Sequence, residues 1–141
     1  MSDFQKYFKA NMEALGLPAP DTLFSSAQTA VGTVTILLSH IDKFGKTITV
    51  GEVVGAATKL EKLGVVATLS ASFYAGACVG SIAVASERSL ADGISLADVL
   101  AYARSKHLSR PWLTAMLHRA PAIYRPHGSA ARLRRAAAVA Q

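Results

Sequence analysis

The chain has 141 residues, a net charge of +6 and a 51% share of hydrophobic residues. That length suits one domain able to bury a core, and a mean hydropathy of +0.30 is too low for a multispan transporter. The single cysteine, Cys78, excludes an intramolecular disulfide framework and a Cys-based zinc site, and its apolar surroundings argue against a reactive thiol. Charge is unevenly placed. Residues 1–62 hold six Lys or Arg against six Asp or Glu, whereas residues 87–141 hold nine against three. The basic excess of the C-terminal third favours an anionic partner, lipid headgroups or nucleic acid.

In chain order, Phe4, Tyr7, Phe8, Met12 and Leu15 recur at helical spacing and predict a helix over 3–15, with Ser2 as a cap and Gly16, Pro18 and Pro20 as its stop. Its polar face lacks the Lys/Arg richness of interfacial helices, so packing on the rest of the protein is favoured. The N-terminus has no apolar h-region and is not a secretory signal peptide, so a protein acting outside its producer would need another export machine. A charge-free run follows over 22–41, with Asp21 as the candidate N-cap. It just reaches spanning length, diluted by Gln28 and several hydroxyls that suit another helix or a water-filled lumen better than lipid.

Gly45 reads as the stop before a connection, and Thr49-Val50-Gly51-Glu52 matches a capping box that starts a new helix near Val50. Gly51 and Gly55 form a small-xxx-small pair on it. Two courses stay open beyond: the segment 50–62 continues into the next stretch as one helix, or bends near Gly64.

That next stretch, 63–86, lies between Lys62 and Glu87 without a formal charge. As a helix at about 1.5 Å per residue it reaches past a roughly 30 Å hydrocarbon core. Gly64, Thr68, Ser72, Gly76 and Gly80 recur every fourth position and predict one small-residue stripe, along which helices approach closely in lipid. The competing reading is a buried helix of a soluble bundle; length favours the membrane.

Downstream, Asp92-Gly93 reads as a turn, and Ser95-Leu96-Ala97-Asp98 as a capping-box-like start of a helix to about His107 with Leu96, Val99, Leu100 and Ala103 on one face. Ser109-Arg110-Pro111 opens another, with Trp112, Leu113, Met116, Leu117 and Ala120 as its apolar face and Pro121 as its stop. After Pro126 and Gly128, a tail of helical propensity carries Arg132, Arg134 and Arg135, candidates for membrane-surface or anion contact. No segment alternates as a strand. The chain therefore reads as an all-α helical bundle, one domain over 1–141. An amphipathic helix and Pro-rich linker occupy 1–21, an apolar hairpin of two candidate membrane-spanning helices 22–86, and a basic helical part 87–141.

Catalytic patterns are missing. The four histidines form no metal-binding spacing, no phosphate-binding glycine loop occurs, no serine sits in a nucleophile elbow, and the carboxylates fall mostly at helix starts. Neither an enzyme nor a cofactor or metal is expected. A soluble helical binding module with a DNA-binding helix-turn-helix at 95–120 is an alternative, and so is a phage holin-like membrane protein. DNA binding would leave the stretch 63–86 without a purpose, so nucleic acid is not the expected partner. A hairpin places both flanks on one side of a bilayer, its basic flank at anionic lipid. Copies packed through the stripe would form a homo-oligomeric pore that leaks ions without a chemical step.

On GEVVG at Gly51–Gly55, on Gly64 with the run Ser72, Gly76 and Gly80, and on the opening MSDFQKYFKANMEALGLPAP, the sequence resembles the small antibacterial effectors of type VI secretion that carry glycine-zipper helices and form pores in the inner membrane. The resemblance implies a toxin held in the producer cytoplasm until export without a signal peptide, with the secretion tube protein as chaperone and a cognate immunity protein. It further implies insertion into the target-cell inner membrane and loss of membrane potential through passage of monovalent cations.

Overall fold

The computed structural model describes residues 3–87 and 94–125. It is all-α: among the described residues there is no strand, only an isolated antiparallel bridge between Thr49 and Ser70. No helix among them is long and apolar enough to cross a membrane.

Helix α1 spans Asp3–Ala14 and buries Tyr7, Phe8 and Met12 on its predicted face, together with Gln5 and Asn11. Phe8 stacks between Phe4 and Phe24, with ring centroids 5.6 and 4.7 Å away. Gly16 ends the helix at φ +73°, where Leu17 N–H reaches back to Met12 O at 2.9 Å and Gly16 N–H to Glu13 O. That is a glycine-terminated Schellman closure.

Helix α2, Ala27–Phe44, starts later than its charge-free run and ends beyond it. The expected cap, Asp21, instead pairs with Lys9 at 2.9 Å, and Ser26 caps the helix by accepting from Thr29 N–H. Ala30, Thr33, Val34, Leu37, Leu38 and Ile41 are buried, while Gln28, Thr35 and Ser39 are exposed. Gln28, Thr35 and Ser39, three of the polar residues that diluted this run, thus lie on the solvent face of an amphipathic helix, whereas Thr33 turns inward and donates to Leu23 O at 2.8 Å. Gly45, at φ +103°, is the predicted stop.

The capping box at Thr49 and Glu52 forms as predicted and opens α3, Val50–Ala56. Neither course foreseen for the following residues is taken. Ala57 is extended, the chain winds as a 3₁₀ helix over Thr58–Val66, and it turns before α4, Ala71–Glu87, begins. The stretch 63–86 is therefore not one helix, which corrects the expectation of a spanning hairpin arm. Two causes account for the break, one distant in sequence and one local. Backbone groups around 67–71 are taken by the loop opposite: Val50 N–H bonds Leu69 O, Gly51 N–H bonds Ala67 O, and Ala71 N–H bonds Ile48 O. In addition, the Ser70 hydroxyl accepts from Phe73 N–H and caps α4 from inside the apolar run.

Helix α5, Leu96–Ser105, carries the second predicted capping box, Ser95 with Asp98. It closes with Leu108 N–H on Ala103 O at 2.8 Å and His107 at φ +61°, so a histidine occupies the left-handed position usually given to glycine. Helix α6, Leu113–Arg119, buries Leu113, Met116 and Leu117, and Pro121 ends it and opens a short 3₁₀ turn, Pro121–Ile123. Arg110 joins the start of this region to the end of α2 by pairing with Asp42 at 2.9 Å.

The four longer-range neighbours α1, α2, α5 and α6 all pack on α4. From Ala71 to Ala85 every residue of α4 except the half-buried Phe73 is buried. A helix apolar around its whole circumference can rest only inside such a sheath or inside lipid.

Candidate functional site

Two features of the surface and core bear on function: the contact lines that seal α4, and a cleft beside its N-terminal end. The small-residue positions divide between them and the solvent. Gly76 lies against Met116 of α6: a Cβ built there would meet Met116 Sδ in direct clash and Cε at 2.7 Å. Gly80 lies equally close under Ile123, with Cγ2 in clash and Cβ at 3.5 Å. Ser72 is buried and donates to the Lys46 carbonyl at 2.7 Å. Gly51 sits on Ala67, with the Ala67 oxygen 3.0 Å from an added Cβ. Gly55 and Gly64 face open space, and Thr68 is exposed. Gly64 and Thr68 are thus off α4, and the stripe predicted over five positions is reduced here to Ser72, Gly76 and Gly80, all turned inward. The turn at Asp92-Gly93 and the tail residues Arg132, Arg134 and Arg135 lie outside the described residues.

A polar cluster sits in the same seal. Asn11, fully buried on α1, donates to Ser81 Oγ at 2.7 Å and to Ile123 O at 2.9 Å. Ser81 contacts Met12 Sδ at 3.3 Å, and Tyr74 donates its hydroxyl to Pro18 O at 2.6 Å. Each polar group that α4 carries into the core therefore meets a partner on the sheath, as buried polar groups must. Sequence reasoning missed Asn11, although its place four residues after Tyr7 put it on the buried face.

The cleft lies between the loop 46–47, the start of α4 and helix α6, with a volume of about 790 Å³. Phe73, Trp112, Ala115 and Met116 give it an apolar wall; Thr47 and Ser70 add hydroxyls. Lys46 and Arg119 are its charged residues, and no Asp or Glu lines it. Among the described residues neither cation makes an ion pair. In the sequence, Phe73 reads as part of the apolar run and Trp112 and Met116 as an amphipathic face; no spacing signals that they meet.

No protein family, characterised protein or solved structure matches this chain.

Among the described residues no group of three His, Cys, Asp or Glu is placed to hold a metal ion. The segment 95–120 holds two helices, the second only seven residues long, with the half-buried Trp112 at its start and Thr114 exposed on its first turn.

Proposed function

We propose that this fold is the stored form of a pore-forming antibacterial toxin, exported by type VI secretion and active at the inner membrane of the target cell. The observation that carries the reading is α4, charge-free from Ala71 to Ala85 and buried there at every position but the half-buried Phe73, wrapped by helices that each keep a polar face outward. At 17 residues α4 extends about 26 Å, short of the roughly 30 Å hydrocarbon core. Insertion therefore requires residues 63–70 to leave their 3₁₀ and turn conformation and lengthen the helix toward the full charge-free run. In that state Ser72, Gly76 and Gly80 exchange their contacts with Lys46, Met116 and Ile123 for contacts with another copy, and Gly64 and Thr68 join the same face. The amphipathic α2, with its Ser and Thr face, supplies a lumen-compatible surface. The membrane lipids, a homo-oligomer, a cognate immunity protein and the secretion tube protein as chaperone are the partners of this reading.

A crosslink tests it. An added Cβ at residue 80 falls 3.5 Å from Ile123 Cβ, within the disulfide range of about 3.5–4.5 Å. The Ile123→Cys change also removes the methyl that Gly80 faces. The triple variant Cys78→Ala, Gly80→Cys, Ile123→Cys should leak ions from anionic vesicles only after reduction, while the parent leaks under both conditions. Equal leakage by the oxidised variant rules out release of α4 from this seam; no leakage by the parent rules out the pore itself. The cleft favours a second reading, a helical binding module, for which the same vesicles would stay intact and the protein would remain in solution.

A further inference from the structure

We infer that the cleft between α4 and α6 is a binding site for a small amphipathic anion, a single hydrocarbon chain ending in a carboxylate. Its volume of about 790 Å³ lies within the roughly 300–1,000 Å³ of small-molecule sites. One wall is aromatic and aliphatic: Phe73 and Trp112 are half-buried, and the buried Met116 adds an adaptable side chain. Such a surface accepts a flexible chain without demanding one shape.

The charge pattern selects the headgroup. Lys46 and Arg119 are exposed at the cleft, and no lining residue is acidic. The N-terminal end of α4, at Ser70, adds the positive end of a helix of 17 residues. The C-terminal turn of α6 opposes it with carbonyl oxygens, which Arg119 offsets in place. An anion is therefore drawn to the cleft, and a cationic or neutral head of equal length is not. A space of about 790 Å³ suits one hydrocarbon chain rather than a helix of another protein, which would need room for anchors on successive turns.

Trp112 is the only tryptophan of the chain and lines the cleft, so its emission reports occupancy directly. Dodecanoate, titrated below its micelle concentration into the full chain without membranes, should shift and saturate that emission at one ligand per protein. Dodecyl maltoside, of equal chain length and no charge, should bind at least about tenfold more weakly. Lys46→Ala and Arg119→Ala should each weaken dodecanoate binding about fivefold, the scale of one exposed charge contact. Arg104→Ala, an exposed cation on α5 outside the cleft, should leave it unchanged. Equal binding of the two amphiphiles overturns the headgroup assignment. A response to anionic vesicles with none to free dodecanoate overturns the site in favour of a lipid surface. Since the titration contains no bilayer, its outcome is independent of whether the protein forms pores.

Discussion

The seam between α4 and the 3₁₀ turn at Pro121–Ile123 makes a quantitative claim about Gly80. Replacing Gly by Ala inside a helix ordinarily stabilises it by about 1 kcal/mol. At residue 80 the new methyl would occupy the space of Ile123 Cγ2. Ile123 is β-branched and stiff, and its carbonyl is held by Asn11, so it has little room to yield. Overpacking of this kind costs about 1–3 kcal/mol, which leaves Gly80→Ala destabilised by up to about 2 kcal/mol after the helical gain. Removing the obstruction reverses the sign. In an Ile123→Ala background the remaining neighbours of the added Cβ are Ile123 Cβ, retained in Ala, at 3.5 Å and the backbone oxygen at 3.7 Å, both ordinary contacts. There Gly80→Ala should stabilise by about 1 kcal/mol, a coupling of about 2 kcal/mol between the sites. Gly76→Ala, which faces the unbranched Met116, should stay within about 1 kcal/mol of the parent. Gly55→Ala, with nothing within 4 Å, should gain up to about 1 kcal/mol. Urea unfolding followed by circular dichroism measures all of these, provided the slope is unchanged. If Gly80→Ala matches Gly55→Ala and ignores Ile123→Ala, α4 does not lie beneath residue 123.

Two further substitutions examine the ends and the centre of the bundle. His107→Gly should raise stability by about 0.5–1 kcal/mol in the same assay, because His107 holds φ +61° at a cost of about 1–2 kcal/mol that glycine largely avoids; a loss would mean its ring makes a contact worth more than the strain. Asn11→Ala should cost about 2 kcal/mol, since Ser81 and the Ile123 carbonyl both lose a buried donor. An unchanged midpoint would place that polar cluster in contact with water.

What could be read from the sequence were features with local physics. Thr49 with Glu52, and Ser95 with Asp98, satisfy backbone N–H groups within one turn of themselves, so their capping boxes appear where the spacing puts them. Gly45 and Pro121 end helices for equally local reasons. The break at 67–70 depended on something distant: the backbone of residues 48–51, which claims the hydrogen bonds a continuous helix would have kept. Ser70 was a visible cap candidate, but inside a charge-free run its hydroxyl reads as one more small residue. Asp21 is not the cap because the helix begins only after Ser26, five residues on, whose hydroxyl takes the Thr29 N–H. The cleft needed Phe73 and Trp112 brought together from separate helices, and periodicity carries no such information.

The Asn11 hydrogen bond to Ile123 O joins positions 112 residues apart, and both ends of that bond cover α4. Time therefore enters the fold. On a ribosome α4 is complete at Glu87, yet among the described residues its cover at Gly80 arrives only with Ile123, 36 residues later. At about 5–20 residues per second that interval lasts about 2–7 s. At its start the most apolar helix of the chain has only α1 and α2 to pack on; α5 joins next, and Met116 and Ile123 close over Gly76 and Gly80 at its end. The newborn protein thus passes through a state whose exposed surface is the very helix that the finished fold conceals.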